Sequence, residues 1–96
     1  MDYELVIYDR AKQDIIDSFD WYENKIAGLG NRFIDEVERE LNYIKSFPEH
    51  YQIKYKSTYR QAVLRKFPYL IIYEVLKRKV VILSVFPARE NPKKKP

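Results

Sequence analysis

The sequence predicts an α+β fold, in which a helical hairpin packs on one face of a mainly antiparallel sheet in the order β-α-α-β-β-β-β. Three observations predict it. Apolar residues recur at helical spacing between Asp9 and Pro48, and they alternate or run together at strand spacing from Tyr51 to Phe86. A short Gly28-Leu29-Gly30 break divides the helical stretch in two. The chain of 96 residues makes one domain with a thin core.

Residues 3–8, Tyr-Glu-Leu-Val-Ile-Tyr, are rich in β-branched and aromatic types and read as a first strand. Asp9 follows, a residue type that caps helix starts. Ala11, Ile15, Phe19, Tyr22 and Ile26 then mark one helical face, with Ile16 and Trp21 expected to widen the stripe. A second helical run places Phe33, Val37, Leu41 and Ile44 together and ends at Pro48. Two helices joined so closely should lie antiparallel.

Tyr51, Ile53 and Tyr55 alternate with polar residues, as a half-buried strand does. Residues 60–66 form the next strand after a Ser57-Thr58 turn, and Phe67-Pro68 breaks it. Residues 69–76 and 79–86 are the most apolar strands, joined by a tight Lys77-Arg78 turn, and should be antiparallel and central. The helices cover one face, so the basic residues are expected on the other. The Pro- and Lys-rich tail from Pro87 to Pro96 is expected to fray.

Charge is divided unevenly. Residues 1–50 carry six basic and twelve acidic side chains, a net −6, whereas residues 51–96 carry twelve basic and two acidic ones, a net +10. Such asymmetry points to a polyanionic or acidic partner. The absence of cysteine excludes disulfides and thiolate metal sites and favours a cytoplasmic setting. The N-terminus lacks the pattern of a signal peptide, and no apolar run is long enough for a membrane span.

Catalytic constellations are sparse. His50 is the sole histidine, which leaves a Ser-His-Asp or Cys-His arrangement without its parts. The two glycines make no phosphate loop. Asp14, Asp17 and Asp20 read as a solvated helix face rather than a metal ladder. No metal or cofactor is expected. The basic residues remain, interleaved with aromatics such as Tyr55, Tyr59 and Tyr69. They suit either nucleic acid, through phosphate neutralisation and base stacking, or an acidic protein segment.

Ala11 to Ile15, Trp21-Tyr22-Glu23, Gly28-Leu29-Gly30, Phe33, Arg60, Phe67-Pro68-Tyr69, Ile71-Ile72-Tyr73, Val85-Phe86 and Ala88-Arg89 together resemble the RelE/ParE toxin superfamily of bacterial type II toxin–antitoxin systems, whose members were once called plasmid stabilization proteins. The resemblance implies a toxin domain over residues 1–88 with a basic tail over 89–96. It also implies a cognate antitoxin that wraps the toxin with an acidic segment. RelE-like members cut messenger RNA on the ribosome, and ParE-like members inhibit DNA gyrase. The RelE pattern places basic residues where this chain has Gln61, Val63 and Leu70, and it has a C-terminal tyrosine that is absent after Phe86. The ParE-like reading is therefore preferred. A reduced RelE-like ribonuclease, or an inactive homologue that only binds antitoxin, is the alternative.

The candidate contacts to target or antitoxin are Arg60, Arg65, Lys66, Tyr69, Arg89 and Lys93. Were there catalysis, Arg65 and Arg89 would stabilise charge on a phosphate. Arg60, on a face with Ala62 and Leu64, is otherwise expected to pair with Glu36 or Glu40.

Overall fold

The computed structural model describes residues 3–89. Their elements are β1 (Glu4–Ile7), α1 (Asp9–Lys25), α2 (Leu29–Ser46), β2 (Ile53–Tyr55), β3 (Tyr59–Val63), β4 (Tyr69–Leu76) and β5 (Lys79–Pro87). The strands form one sheet in the order β1-β5-β4-β3-β2. All neighbours are antiparallel except β1, which runs parallel to β5 with Val6 opposite Val81. β4 and β5 are interior, as their near-continuous apolar sequence predicts for strands shielded on both faces. Of the tail expected to fray from Pro87 onward, Pro87 instead ends β5 and Ala88 N–H donates to Pro68 O, while residues 90–96, Lys93 among them, lie outside the described residues.

α1 and α2 cover one face. Phe33, Val37, Leu41 and Ile44 of α2 are buried against Ala62, Ile71, Tyr73, Val80 and Ile82 of the sheet and Leu64 just beyond β3. α1 contributes less, with Ala11 fully buried and Ile15 and Tyr22 packed at the margin. Ile16 and Trp21 are each 51% exposed and Ile26 is 64% exposed, so they do not widen the buried stripe. A residue one step along a helix lies about 100° further round, and a narrow contact leaves that position in water. Asp9 is also not the cap. Tyr8 holds the extended cap position with no side-chain cap bond, and Asp9 is inside the first turn, where its charge still complements the helix dipole.

The helix–helix turn is fixed by Glu23. Its carboxylate oxygens accept the N–H groups of Gly28 at 2.8 Å and Gly30 at 2.9 Å, which satisfies free donors at the start of α2. Gly28 has φ +89°, the left-handed region, and a Cβ on Gly30 would meet Glu23 Oε1 and Phe19 at 2.8 Å. Both glycines therefore have a local cause.

The sheet's second face differs from the expectation. Leu70, Ile72, Val81, Leu83 and Phe86 are buried there, with Val6, Tyr55 and Tyr59 packed against them. Basic residues do not collect on this face, because the interior strands are apolar on both sides and an unpaired charge among them would be costly. Lys56, Lys77 and Arg78 stand instead at turns and Arg65 and Lys66 between β3 and β4, while Lys54 and Arg60 belong to β2 and β3. The β4–β5 register shifts between Ile72 and Tyr73, so that Leu83 is passed over, and Val85 then joins the helix-side core while Phe86 joins the second face.

Leu41 is 6% exposed. Leu41→Ala should lower unfolding free energy by about 2–5 kcal/mol in urea titration. An unchanged midpoint and slope would contradict the packing of α2.

Candidate functional site

One end of the sheet gathers most of the sequence-predicted residues. β3 leaves the sheet at Val63, and the loop through residue 68 returns to β4, closed by Leu64 N–H to Tyr69 O at 3.0 Å. β5 ends beside it, with Tyr69 opposite Pro87 and Ala88 N–H donating to Pro68 O at 2.7 Å. Arg65, Lys66, Tyr69 and Arg89 are thereby brought to the same end of the sheet, Arg89 on one side of Tyr69 and Arg65 and Lys66 on the other.

The support beneath them is aromatic. Tyr22 lies 5.0 Å from Phe67 and 5.3 Å from Phe33, centroid to centroid, and Phe33 lies 4.9 Å from Tyr69 and 5.4 Å from Phe67. The four rings come from α1, α2, the β3–β4 loop and β4. Tilted and edge-on ring pairs at such distances add about 0.5–1.5 kcal/mol each beyond area burial. Tyr69 is only 5% exposed, so its ring is part of this foundation and not an open contact surface.

A cleft of about 300 Å³ lies on one side of the cluster, between α1 and the end of β5, lined by Asp14, Asp17, Trp21, Tyr22 and Arg89 among others. Asp14 is not merely solvated. Its Oδ2 accepts the Val85 N–H at 2.9 Å, on the part of β5 that extends past the end of β1. Burial pushes the Tyr22 hydroxyl up to about 12, reinforced by the charge and hydrogen bond of Tyr69, while Arg89 pulls it the other way.

On the other side of the cluster, two cavities of about 300 and 370 Å³ run between α2 and the loop and share Glu36, Arg39 and Lys66. Arg32 and Arg39 stand on α2, facing Arg65 and Lys66 of the loop. Arg39 Nη1 donates to Glu36 Oε1 at 2.8 Å, and Glu36 is 6% exposed. Sequence reading missed Arg32 and Arg39, because they sit in the acidic half and its net charge concealed them. Their spacing of two helical turns was the available signal.

Arg60 is elsewhere. Its Nη1 donates to Tyr51 O at 2.6 Å and lies 3.5 Å from Glu49 O, so it ties down the α2–β2 connection and does not pair with Glu36 or Glu40. Arg39 already holds Glu36, and Glu40 faces Tyr51; burial and this carboxylate together push the Tyr51 hydroxyl up. In the same connection, Tyr73 OH donates to Pro48 O at 2.8 Å, and burial pushes the Tyr73 hydroxyl up to about 12. His50 Nδ1 lies 3.2 Å from the Tyr43 hydroxyl. Among the described residues no His, Cys, Asp and Glu group could hold a metal ion, and no helix is long and apolar enough to cross a membrane.

The family described as ParE toxin of the parDE type II toxin–antitoxin system matches residues 5–92. The chain belongs to this family. Membership identifies it as a type II toxin. Its fold is that of solved relatives at low identity. The chromosomal ParDE TA system from P. aeruginosa contains a chain that superposes with TM-score 0.79 at 14% identity, over 88% of this chain and 95% of that one. A mutant of the E. coli toxin RelE in the free state gives 0.70 at 20% identity, over 93% and 86%. The intact E. coli RelBE toxin–antitoxin complex gives 0.70 at 18% identity, over 92% and 99%. No curated protein sequence matches the chain.

The raised hydroxyls of Tyr22 and Tyr73 have a consequence at high pH. The unfolded chain loses these protons near pH 10 and the folded chain near pH 12, so between the two the folded state binds more protons. Their contribution to stability is intact below about pH 10 and is lost as pH rises towards 12. Tyr22→Phe should flatten part of that fall in denaturation midpoints measured from pH 9 to 12 (about the range that brackets both states). An identical pH profile would contradict the assigned burial.

Proposed function

We propose that this toxin acts in the cytoplasm as a docking protein: it arrests growth by binding a cellular machine, DNA gyrase, and a cognate antitoxin neutralises it by laying an acidic segment into the groove between α2 and the β3–β4 loop. One observation carries the first part. The positions at which the RelE pattern places basic residues hold none here and are committed to packing or left uncharged. Leu70 is 8% exposed inside the second apolar cluster, Gln61 Oε1 accepts the Tyr55 hydroxyl at 2.7 Å, and Val63 is half-exposed. Phosphodiester cleavage needs charge stabilisation together with a group that moves protons near neutral pH. Arg89 supplies charge, but the hydroxyl beside it, Tyr22, has its proton held more tightly than usual. That environment supports binding over catalysis.

The antitoxin assignment rests on the solved relatives and on charge. The RelBE structure is a toxin–antitoxin complex. The α2 groove of this chain presents Arg32, Arg39, Arg65 and Lys66 around apolar Leu29 and Phe67; Asp35, Glu36 and Glu40 also line it, and because Arg39 is paired with Glu36, the exposed cations outside an ion pair are Arg32, Arg65 and Lys66. Cations flanking an apolar floor match a segment that alternates carboxylates with apolar side chains, and their complementarity speeds encounter as well as holding the complex.

Arg89→Ala should abolish or strongly reduce growth arrest on induction while leaving thermal unfolding unchanged. The charge reversal Arg65→Glu/Lys66→Glu should weaken antitoxin binding by about tenfold or more in calorimetry, a loss of about 1.4 kcal/mol. Undiminished arrest would remove Arg89 from the target surface, and unchanged affinity would remove the groove from the antitoxin surface.

A further inference from the structure

The far end of the sheet carries a second set of cations that the docking reading leaves unused. The β2–β3 turn contains Lys56 and the β4–β5 turn contains Lys77 and Arg78, with Lys79 beginning β5. Both turns lie at the same end, because Tyr59 at the start of β3 pairs with Glu74 near the end of β4. Lys56, Lys77, Arg78 and Lys79 are all exposed. The only ion pair among the described residues joins Arg39 to Glu36, so none of these four is neutralised by one. Two carboxylates share this end of the sheet: Glu74, engaged by the Thr58 hydroxyl at 2.9 Å, and exposed Glu4, opposite Lys79 in the β1–β5 register, so the four cations outnumber them.

The backbone adds an independent observation. The only non-glycine residues with positive φ among those described are Lys56 at 52° and Lys77 at 57°. The left-handed region disfavours a side chain, and turns that need it normally use Gly, Asn or Asp. Here both such positions are lysines, on neighbouring turns; the Lys56 ammonium lies 5.5 Å from the centroid of the Tyr59 ring, whereas Lys77 has no such ring contact among the described residues, so its positive charge in particular is not explained by local conformation.

We propose that this end of the sheet is a contact surface for the phosphate backbone of duplex DNA. The turns are separated by two strand spacings, about 10 Å across the sheet, so the cations form a ridge that can meet phosphates in succession. Fixed turns hold them without the ordering cost of a flexible arm, and contact of this kind neutralises phosphates with no demand on sequence. The inference does not depend on which cellular machine the opposite end engages.

The test is fluorescence anisotropy with a short labelled duplex of random sequence and the full-length chain, at several salt concentrations. Wild-type protein should bind with affinity that falls as salt rises. Lys56→Asn/Lys77→Asn should weaken binding by about fivefold or more and reduce the salt slope by about one unit for each phosphate left without its lysine. Because Asn tolerates positive φ, its thermal midpoint should equal or exceed that of wild type. Lys77→Ala/Arg78→Ala/Lys79→Ala should weaken binding further. Wild-type protein that ignores the duplex at low salt would overturn the proposal, as would unchanged binding by either variant. Binding lost only with Lys93→Ala/Lys94→Ala/Lys95→Ala would also overturn it, as would capture of polyglutamate or anionic lipid vesicles in place of the duplex.

Discussion

Four aromatic rings hold this structure in working order. Tyr22, Phe33, Phe67 and Tyr69 come from α1, α2, the β3–β4 loop and β4, and they meet at one end of the sheet. Everything offered to a partner at that end stands on them. Arg65 and Lys66 immediately precede Phe67, and Arg89 lies two residues beyond the end of β5, next to Ala88, whose N–H donates to Pro68 O. Functional side chains on loops need a rigid base, and packed rings provide one at low conformational cost. The helical hairpin that brings Tyr22 and Phe33 together depends in turn on Glu23, whose carboxylate fixes the glycine turn between them.

A second constraint decides where charge can go. The strands β4 and β5 bury apolar side chains on both faces, so the middle of the sheet admits no free cation. The basic half is consequently split into two exposed ends, one beside the aromatic cluster and one at the turns. Cations displaced in this way are well placed to meet extended anionic surfaces. They are poorly placed for chemistry that needs several charges and a proton-transfer group converging on one atom.

Much of the fold was legible in the sequence because its causes are local. The change of apolar period, the glycine turn and the breaks at Pro48 and Pro68 set the element order, and the unbroken apolar runs of β4 and β5 set the interior of the sheet. The α1 stripe was overread because Ile16 and Trp21 fit helical spacing, while burial depends on what packs against the helix. The second apolar face was missed for a related reason. The unbroken apolar runs of β4 and β5 carried the signal for two covered faces, but two helices can cover only one, and the sequence does not show that apolar side chains of the sheet itself, with Val6, Tyr55 and Tyr59, close the other. The placement of the site residues was partly legible: Arg65 and Lys66 lie on one side of a shared aromatic base and Arg89 on the other, at the same end of the sheet. Of the two readings of Arg60, partner contact or pairing with a carboxylate, the pairing fails because Arg60 donates to backbone carbonyls, which leave no trace in sequence. Arg32 and Arg39 were hidden by averaging charge over half a chain.

The central claim is that the toxin works by occupying a machine and not by cutting RNA. Its most direct test is induction in cells without antitoxin, reading plasmid supercoiling and messenger RNA integrity from the same culture. Loss of negative supercoiling with intact transcripts is the predicted result. Fragmented transcripts with supercoiling unchanged would contradict it.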